Sequence, residues 1–366
     1  MTSFGLPRGF RDQVDWPLLT AVAAIVVFGL VNLYSASSVA LNAQGLFVSQ
    51  LYRIVLGIGA AVFAATIDYR HFERYAWWLY GFGVVLLLLV FLLGQNVRGS
   101  TRWIDLGFIA VQPSELMKPL LIVALARYLS NDPKTEGRSL FDLFVTGMIV
   151  GLPMTLILLQ PDLGTALICA FIFGSVMLLT NLRLWSVLAL ALVFVLSAPI
   201  TWVYLLKEYQ RERISAFFNP HADLLDSGWH AHQSIVAIGS GGLTGEGFLQ
   251  GTQNQFHFLP DAHSDFPFAV WAEEQGFLGV ALMLGLYLFL VLWALKIASL
   301  AKDRFGAVLA VGLAALFFWH SVINVGMVVG LLPVVGITLP LFSYGGSSVV
   351  TMLFGVGLLM NVSVRR

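Results

Sequence analysis

The sequence predicts an all-α polytopic membrane protein with about ten transmembrane helices. Hydrophobic residues make up 58% of the chain and charged residues only 11%, whereas soluble domains are roughly 45–50% apolar and about 25% charged. Residues 84–91 are apolar at every position rather than at every second one, which indicates helices and not the strands of a barrel. The zero net charge argues against nucleic-acid binding.

Each predicted helix is a stretch of about twenty mostly apolar residues, which is the length that crosses the hydrocarbon core of a bilayer. We expect one domain, 1–366, in which the polar segment 207–265 is a long structured loop between the seventh and eighth helices. Only a short polar break at 181–183 separates the sixth span from the seventh, so nine or eleven helices are alternatives. The predicted spans lie near residues 17–36, 47–67, 76–94, 114–130, 142–160, 164–182, 184–206, 274–299, 305–331 and 347–363.

The distribution of lysine and arginine predicts the orientation of these helices. With the N-terminus inside, thirteen of the twenty basic residues fall in inner loops, five fall in outer loops, and Arg53 and Lys118 lie within spans. Positive charge collects on the cytoplasmic side of membrane proteins. We therefore expect both termini to be cytoplasmic and segment 207–265 to be extracytoplasmic.

The start of the fourth span, 112–118 (QPSELMK), carries a charge that needs an explanation. Ser114 and Glu115 suit the positive end of a helix dipole, whereas Lys118 opposes it. Glu115 lies three positions before Lys118 and therefore shares its helix face. Two interpretations stay open here: an internal ion pair that fixes helix packing, or a cation that is presented to an anionic substrate and tuned by Glu115.

Two short segments on the same predicted side add further candidates. Arg102 and Trp103 stand together in the loop 98–104. Arginine binds phosphate in bidentate fashion, and tryptophan either packs on sugar faces or anchors the chain at the membrane surface. Asp162, in the turn 160–165, is best placed to cap the helix that follows it.

The end of the polar segment supplies the strongest candidate for chemistry. Asp265 follows Asp261 and His263 at the point where the chain re-enters the membrane. A half-shielded carboxylate there could act as a general base, hold a divalent cation, or cap the next helix. The glycine-rich stretch 239–247 lacks the Gly-Lys-Ser/Thr ending of a nucleotide-binding loop, and we interpret it as a chain reversal.

Close to the C-terminus, the segment 324–348 combines prolines with hydroxyl side chains. Pro333 and Pro340 are expected to break the ninth helix, and Ser343, Tyr344 and Ser347 supply hydroxyl groups without charge. Irregular backbone at membrane depth is tolerated where it is buried in protein or lines a cavity. We therefore expect this segment to wall the same outer cavity.

Together these motifs resemble the SEDS family (shape, elongation, division and sporulation). Segments 251–255 and 330–333, with the short termini, resemble the elongation branch more than the division branch. Ser264 and Pro267 are mild departures, since threonine and isoleucine are common there. The segments that carry the resemblance are 99–104 (GSTRWI), 112–118 (QPSELMK), 160–165 (QPDLGT), 257–266 (HFLPDAHSDF), 276–279 (GFLG) and 342–348 (FSYGGSS).

The resemblance implies a peptidoglycan glycosyltransferase of the bacterial cytoplasmic membrane. Such an enzyme polymerises lipid II, releases undecaprenyl pyrophosphate, and serves cell elongation and rod shape. Its implied partners are a class B penicillin-binding protein, other proteins of the elongation complex, the undecaprenyl-linked glycan and membrane lipid, with no nucleic acid. The family's essential aspartate falls on Asp265, its important tryptophan on Trp103, and its fourth-helix motif on Glu115 and Lys118.

Glycan extension joins a sugar hydroxyl to an anomeric carbon whose leaving group is a lipid pyrophosphate. Our hypothesis is that Asp265 deprotonates the acceptor 4-hydroxyl or positions a divalent cation (Mg or Mn), without an organic cofactor. Glu115 and Lys118 complete the catalytic set, and Lys118 with Arg102 would offset charge on the departing pyrophosphate. The predicted substrate-binding residues are Arg102, Trp103, Gln112, Ser114, Asp162, His263, Ser343, Tyr344 and Ser347.

Two alternatives come from other classes of protein. A flippase for lipid-linked precursors would also have about ten helices and charges within the membrane. It would need important charges along a path through the bilayer. Here most polar residues of the motifs lie on the predicted outer side, and His320 and Asn324 are the exceptions in the middle of a span. A noncatalytic scaffold for the crosslinking enzyme would tolerate substitution of Asp265.

Overall fold

The computed structural model describes residues 14–38, 43–97, 100–105, 107, 110–132, 140–178, scattered positions between 185 and 205, 208–218, 227–256, 258–259 and 262–365. Within these residues the chain is almost entirely helical. The helices are α1 (Trp16–Ser37), α2 (Ala43–Thr66), α3 (Tyr69–Arg74), α4 (Ala76–Leu93), α5 (Pro113–Asn131), α6 (Leu140–Leu159), α7 (Leu163–Leu178), α8 (Glu208–Phe218), α9 (Ser227–Ser240), α10 (Thr252–Gln255), α11 (Pro267–Ser299), α12 (Arg304–Val328) and α13 (Gly346–Val364).

The predicted fold class is confirmed, and the chain is an integral membrane protein. Seven helices in the described part are long and apolar enough to cross a membrane: α1, α2, α4, α6, α11, α12 and α13. Helix α7 is apolar but shorter, and α5 carries charged residues. The seventh predicted span, near 184–206, lies largely outside the described residues. The part of it that is described includes a π-helical turn, Thr201–Leu205. The count of ten and the single domain 1–366 therefore stay predictions.

Helices α5, α12 and α13 occupy the centre of the molecule. Their side chains are buried along almost the whole of each helix. Helix α12 packs against α5, α7 and α11, and α13 packs against α2. By contrast, α2 and α4 expose large apolar side chains such as Phe63, Trp78 and Leu92. Such exposure is stable because lipid, not water, surrounds a membrane-spanning helix.

The connection from α4 to α5 forms a small antiparallel sheet, which the all-helical prediction did not include. Strand β2 (Ser100–Asp105) pairs with β1 (Gln95–Val97) on one side and β3 (Ala110–Val111) on the other. Residues in this stretch, such as Thr101, Trp103 and Ile104, favour extended backbone. The sheet holds Arg102 and Trp103 at a defined place above the helices instead of on a simple loop.

Helix α11 begins earlier than predicted, at Pro267 rather than near 274. Proline is favourable in the first turn, where its missing N–H costs no hydrogen bond. The helix is kinked at Gly276, whose φ of 63° and ψ of −163° are not helical. The glycine-rich turn after α9 fills the kink: Glu246 N donates to Glu273 O (2.9 Å) and Phe277 N donates to Gly242 O (2.9 Å). The predicted chain reversal is therefore also a packing element.

The connection 329–345 between α12 and α13 is irregular, as predicted, but the prolines do not break a helix there. Helix α12 ends at Val328, five residues before Pro333, and Gly330 turns the chain with a φ of 74°. Side chains from neighbouring helices satisfy its backbone carbonyls. Tyr287 Oη donates to Pro340 O (2.7 Å), and Asn324 Nδ2 donates to Ile337 O (2.7 Å).

Candidate active site

A polar cavity of about 650 Å³ opens between the sheet, the helices and the 329–345 connection. It brings together eight of the predicted site residues, which come from five separate parts of the chain. Four others, Ser114, Lys118, Ser343 and Ser347, do not line it and are buried behind its wall. The predicted residues that line it are Arg102, Trp103, Gln112, Glu115, Asp162, His263, Asp265 and Tyr344.

Asp265 reaches the cavity from the segment just before α11. The N-cap position of α11 is Phe266, so Asp265 is not the capping residue. Its backbone carbonyl accepts a hydrogen bond from Asn324 Nδ2 (3.1 Å), which ties this segment to α12. A methyl group placed on Gly336 would lie 3.6 Å from Asp265 Oδ2 and 3.8 Å from Arg213 Nη1. The carboxylate and a guanidinium therefore approach the same point of the wall.

Lys118 forms an ion pair with Glu115, one of the two interpretations that the sequence left open, with 2.7 Å between Nζ and Oε1. A second contact, Nζ to His320 Nε2 at 2.8 Å, was not predicted. The other ring nitrogen of His320, Nδ1, lies 3.1 Å from Thr338 O, and a carbonyl can only accept. Nδ1 therefore carries the proton, and Nε2 accepts from the lysine. The Lys118 side chain is 0% exposed, so Glu115 and His320 present its charge to the cavity indirectly.

The two carboxylate oxygens of Glu115 differ, since Oε1 accepts from Lys118 and Oε2 does not. Its Oε2 is buried and has no hydrogen-bond partner among the residues that the structure describes. A buried carboxylate oxygen without a donor is costly. Because Glu115 lines the cavity, this oxygen is placed to accept a hydrogen bond from a hydroxyl or amide group of a substrate.

Asp162 joins three parts of the wall. Its carboxylate accepts from Thr165 N (3.2 Å) and Thr165 Oγ1 (2.9 Å), so it caps α7 as predicted. It also accepts from Gln112 Nε2 (2.9 Å) and Ser114 Oγ (3.2 Å) at the start of α5. Arg102 Nη1 lies 3.7 Å away, and the same guanidinium donates to Gln160 O (3.3 Å) and Pro161 O. Asp162 thus positions Arg102 and the first turn of α5 together.

The three hydroxyl residues near the C-terminus have different surroundings. Tyr344 lines the cavity, and its backbone N donates to His263 O (2.8 Å), which brings the two segments together. Ser347 Oγ accepts from Gln112 N (2.7 Å), and Ser343 Oγ accepts from Leu339 N (2.8 Å). These two serines support the backbone of the wall, whereas Tyr344 faces the cavity.

Sequence reasoning missed four charged or titratable residues that also line the cavity: Arg53, Asp105, Arg213 and His320. Arg53 and His320 interrupt apolar spans, and charge within a span is a signal of function by itself. Arg213 lies in α8, and nothing in its neighbourhood along the chain connects it with Asp265. His257 and Asp261, which belong to the segment 257–266, fall outside the described residues.

A divalent cation such as Mg²⁺ would need several oxygen donors from the residues around Asp265. Within the described part of the chain no group of three or more His, Cys, Asp or Glu side chains is arranged to hold a metal ion. Asp265 offers one carboxylate, and a guanidinium approaches the same point. Magnesium requires several oxygen ligands. These residues therefore do not fit a metal held by the protein alone, and we derive no catalytic step through one.

The chain matches a known protein family along almost its whole length. A family model described as "Cell cycle protein", which covers FtsW, RodA and SpoVE, matches residues 16–366. The chain belongs to the FtsW/RodA/SpoVE family. The resemblance to the SEDS family is thereby confirmed.

Relatives and solved structures place it near the RodA branch of the FtsW/RodA/SpoVE family. The peptidoglycan glycosyltransferase MrdB of Escherichia coli K12 is 38% identical over 369 residues, which cover 100% of this chain and 98% of that protein. A chain from a structure described as "Structural coordination of polymerization and crosslinking by a peptidoglycan synthase complex" has a TM-score of 0.82 and 34% identity, covering 96% of this chain and 97% of that one. The rod shape determining protein RodA of Thermus thermophilus gives a TM-score of 0.70 and 32% identity, with 96% of each chain covered.

Proposed function

We propose that this protein is a peptidoglycan glycosyltransferase that polymerises lipid II and releases undecaprenyl pyrophosphate during cell elongation and maintenance of rod shape. The observation that carries the proposal is the 650 Å³ cavity between membrane-spanning helices, which Asp265 lines together with Arg102 and Arg213. A lipid-linked sugar needs such a site, because its pyrophosphate is anionic while its chain stays in the bilayer. The names of the full-length relatives support the same activity.

The reaction forms a bond between the acceptor 4-oxygen and the anomeric carbon of the donor, and it breaks the bond from that carbon to the lipid pyrophosphate. Asp265 takes the proton of the acceptor hydroxyl as the new bond forms. Arg213 is placed to stabilise the negative charge that develops on the departing pyrophosphate, and Arg102 adds a second guanidinium on the cavity wall. Attack from the face opposite the leaving group inverts an α-linked donor into a β-linked product.

Lys118 has a different place in this mechanism from the one we expected. Its ammonium is enclosed by Glu115 and His320, so it positions those two cavity-lining side chains instead of touching the pyrophosphate. Glu115 Oε2 then accepts a hydrogen bond from the bound sugar. Lys118 is thus a positioning residue, and Arg102 and Arg213 are the cations closer to the substrate.

The proposal includes a location and a partner. The protein lies in the bacterial cytoplasmic membrane with both termini in the cytoplasm and the cavity on the extracytoplasmic side, as its basic residues predict. Its partner is a class B penicillin-binding protein that crosslinks the product, in line with the similar chain from a peptidoglycan synthase complex. We place the partner's membrane helix against α11 and α12, the eighth and ninth spans, and its outer domain against the polar segment.

The test is a polymerisation assay with purified full-length protein, labelled lipid II in detergent, and the crosslinking partner present or absent. We expect glycan chains from the wild type and almost none from Asp265→Asn. Glu212→Gln is the control, since Glu212 is an exposed carboxylate on α8. Full activity of Asp265→Asn would refute the assignment and favour the scaffold. Lipid movement in vesicles without any glycan product would favour the flippase.

Whether a divalent cation takes part is tested in the same assay. A chelator is added to the wild type, and Mg²⁺ or Mn²⁺ is then restored. Because the described residues do not form a metal cage, we propose that any such cation is shared with the substrate pyrophosphate. Its removal would then raise the KM for lipid II without changing the thermal stability of the protein.

A further inference from the structure

Arg53 is a charge that the mechanism above does not use. It is the single charged residue in the helix Ala43–Thr66, ten positions from the start of that helix. A guanidinium this far inside a membrane-spanning helix is costly unless it faces a partner or a polar cavity. Arg53 lines the same cavity as Asp265.

Among the described residues, no carboxylate forms an ion pair with Arg53. The guanidinium carbon lies 4.5 Å from the centre of the Tyr344 ring, which supports it through a cation–π contact. Nη1 is buried and has no hydrogen-bond partner among the residues that the structure describes. A buried donor without an acceptor is unfavourable by itself, so the arrangement is one that an anion would stabilise.

The start of α13 faces the same point. A methyl group on Gly346 would lie 3.6 Å from the guanidinium carbon of Arg53. Gly345 occupies the N-cap position and provides no side-chain cap, and Gly345, Gly346 and Ser348 all line the cavity. The first N–H groups of a helix have no partner within it and carry partial positive charge, which favours a phosphate group.

We propose that Arg53, Tyr344 and the first turn of α13 form a second binding subsite, specific for the pyrophosphate of a lipid-linked sugar. The inference rests on the proposed function, because polymerisation brings two lipid pyrophosphates together and only one of them leaves. Arg213 approaches the same point as Asp265 and serves the leaving group, and Arg102 is held by the α6–α7 connection. Arg53 contacts Tyr344 and α13 instead. It therefore holds the pyrophosphate that stays attached to the acceptor.

The binding test uses full-length protein in detergent and farnesyl pyrophosphate as the probe, with farnesol as the uncharged control. We expect Arg53→Gln to weaken binding of farnesyl pyrophosphate about tenfold or more, because charge-assisted hydrogen bonds to phosphate are strong. Arg53→Lys should lose less, and Arg70→Gln, an exposed arginine on α3, should bind like the wild type. Unchanged affinity in Arg53→Gln would overturn the subsite.

A second variant keeps the test valid if Arg53→Gln does not fold. Gly346→Ala places a methyl group at ordinary van der Waals distance from its neighbours, 3.5 Å from Ala110 O, so the fold should tolerate it. The methyl group lies between the guanidinium and the first turn of α13, and we expect a severalfold loss of affinity. Wild-type affinity in Gly346→Ala would show that the first turn of α13 does not bind the ligand, and it would overturn the proposal in this form.

Two further experiments distinguish a lipid-linked pyrophosphate from free pyrophosphate, and the proposed subsite from the proposed function. Binding of inorganic pyrophosphate as tight as that of farnesyl pyrophosphate would overturn the specificity for a lipid-linked group. In the lipid II assay we expect Arg53→Gln to raise KM more than it lowers kcat. If the wild type makes no glycan but binds farnesyl pyrophosphate through Arg53, the subsite stands and the proposed function fails. If the wild type polymerises and Arg53→Gln has unchanged kinetics, only the subsite fails.

Discussion

The Nζ of Lys118 lies 2.8 Å from Nε2 of His320, across 202 positions of sequence and between two central helices, α5 and α12. Because the Lys118 ammonium can only donate, Nε2 of the histidine accepts from it, and a ring that donates through Nδ1 to Thr338 O is then neutral. Lys118 therefore has two acceptors, Glu115 and His320, and both of them line the cavity. The contact connects α5 with α12, and the bond from His320 Nδ1 to Thr338 O extends the connection to the irregular segment before α13.

His320 is predicted to position Lys118 by accepting its hydrogen bond. Glutamine at this position can accept through Oε1 and donate to Thr338 O through Nε2, whereas alanine can do neither. We expect His320→Ala to lower kcat about 10- to 100-fold, since an ammonium that loses a buried partner costs roughly 1–3 kcal/mol. His320→Gln should recover much of the rate. Equal loss in both variants, measured in the lipid II assay, would indicate a role for the ring itself.

The effects of substituting Lys118 and Glu115 on the stability of the fold are predicted not to be additive. Removal of one partner leaves an unpaired buried charge, which costs about 3–5 kcal/mol. We therefore expect Lys118→Met to unfold at a clearly lower temperature, and the double variant Lys118→Met/Glu115→Gln to regain most of that loss without regaining activity. Thermal unfolding in detergent measures the first effect, and glycan synthesis measures the second. Additive losses in the double variant would contradict the coupling.

Asp162 is predicted to do more than cap α7. Thr165→Ala removes one hydrogen bond to Asp162 but leaves the contacts with Gln112 and Arg102 in place. It should cost about 1 kcal/mol of stability, as for other helix-end hydrogen bonds, with little change in KM. Asp162→Asn weakens the contacts with Arg102 and α5 as well, and we expect it to raise the KM for lipid II severalfold. The same KM in both variants would reduce Asp162 to a structural cap.

Tyr69 does not line the cavity, and it is predicted to stabilise the fold. Its Oη donates to Asp303 Oδ2 (2.6 Å), and Asp303 also caps α12 through Gly306 N (2.8 Å). Burial, and then the hydrogen bond to Asp303, raise the pKa of Tyr69 above its ordinary value of 10.0, so it stays a donor at neutral pH. We expect Tyr69→Phe to lose about 1.5–3 kcal/mol of stability with unchanged polymerase activity.

The pH dependence of this contact has a definite sign. A group with a raised pKa in the folded state contributes its full stability below its unfolded pKa and loses it as the pH rises through the folded pKa. The difference in unfolding temperature between wild type and Tyr69→Phe should therefore be constant near neutral pH and shrink only above about pH 10. A difference that shrinks at pH 7 would contradict the assignment.

Much of the fold could be predicted from sequence because a membrane-spanning helix is recognisable from the residues of its own segment. Apolar runs of sufficient length mark α1, α2, α4 and α11 to α13, since lipid requires their backbone hydrogen bonds to be satisfied within each segment. The prediction was wrong on the sheet at β1 to β3 and on the start of α11. At both places short extended or kinked backbone depends on contacts with neighbouring segments, such as the turn that fills the bend at Gly276.

The candidate site divides in the same way. The sequence by itself determined that Lys118 and Glu115 share a helix face and that Asp162 caps α7, because both contacts join residues three positions apart, where helix geometry makes the contact. Only the tertiary structure decided that His320 accepts from Lys118, that Arg213 approaches Asp265, and that Arg53 faces α13. Such contacts depend on how each helix is rotated and packed against its neighbours. A local pattern of residues does not determine that rotation. The cavity and the charged residues that line it could therefore be identified only in the folded chain.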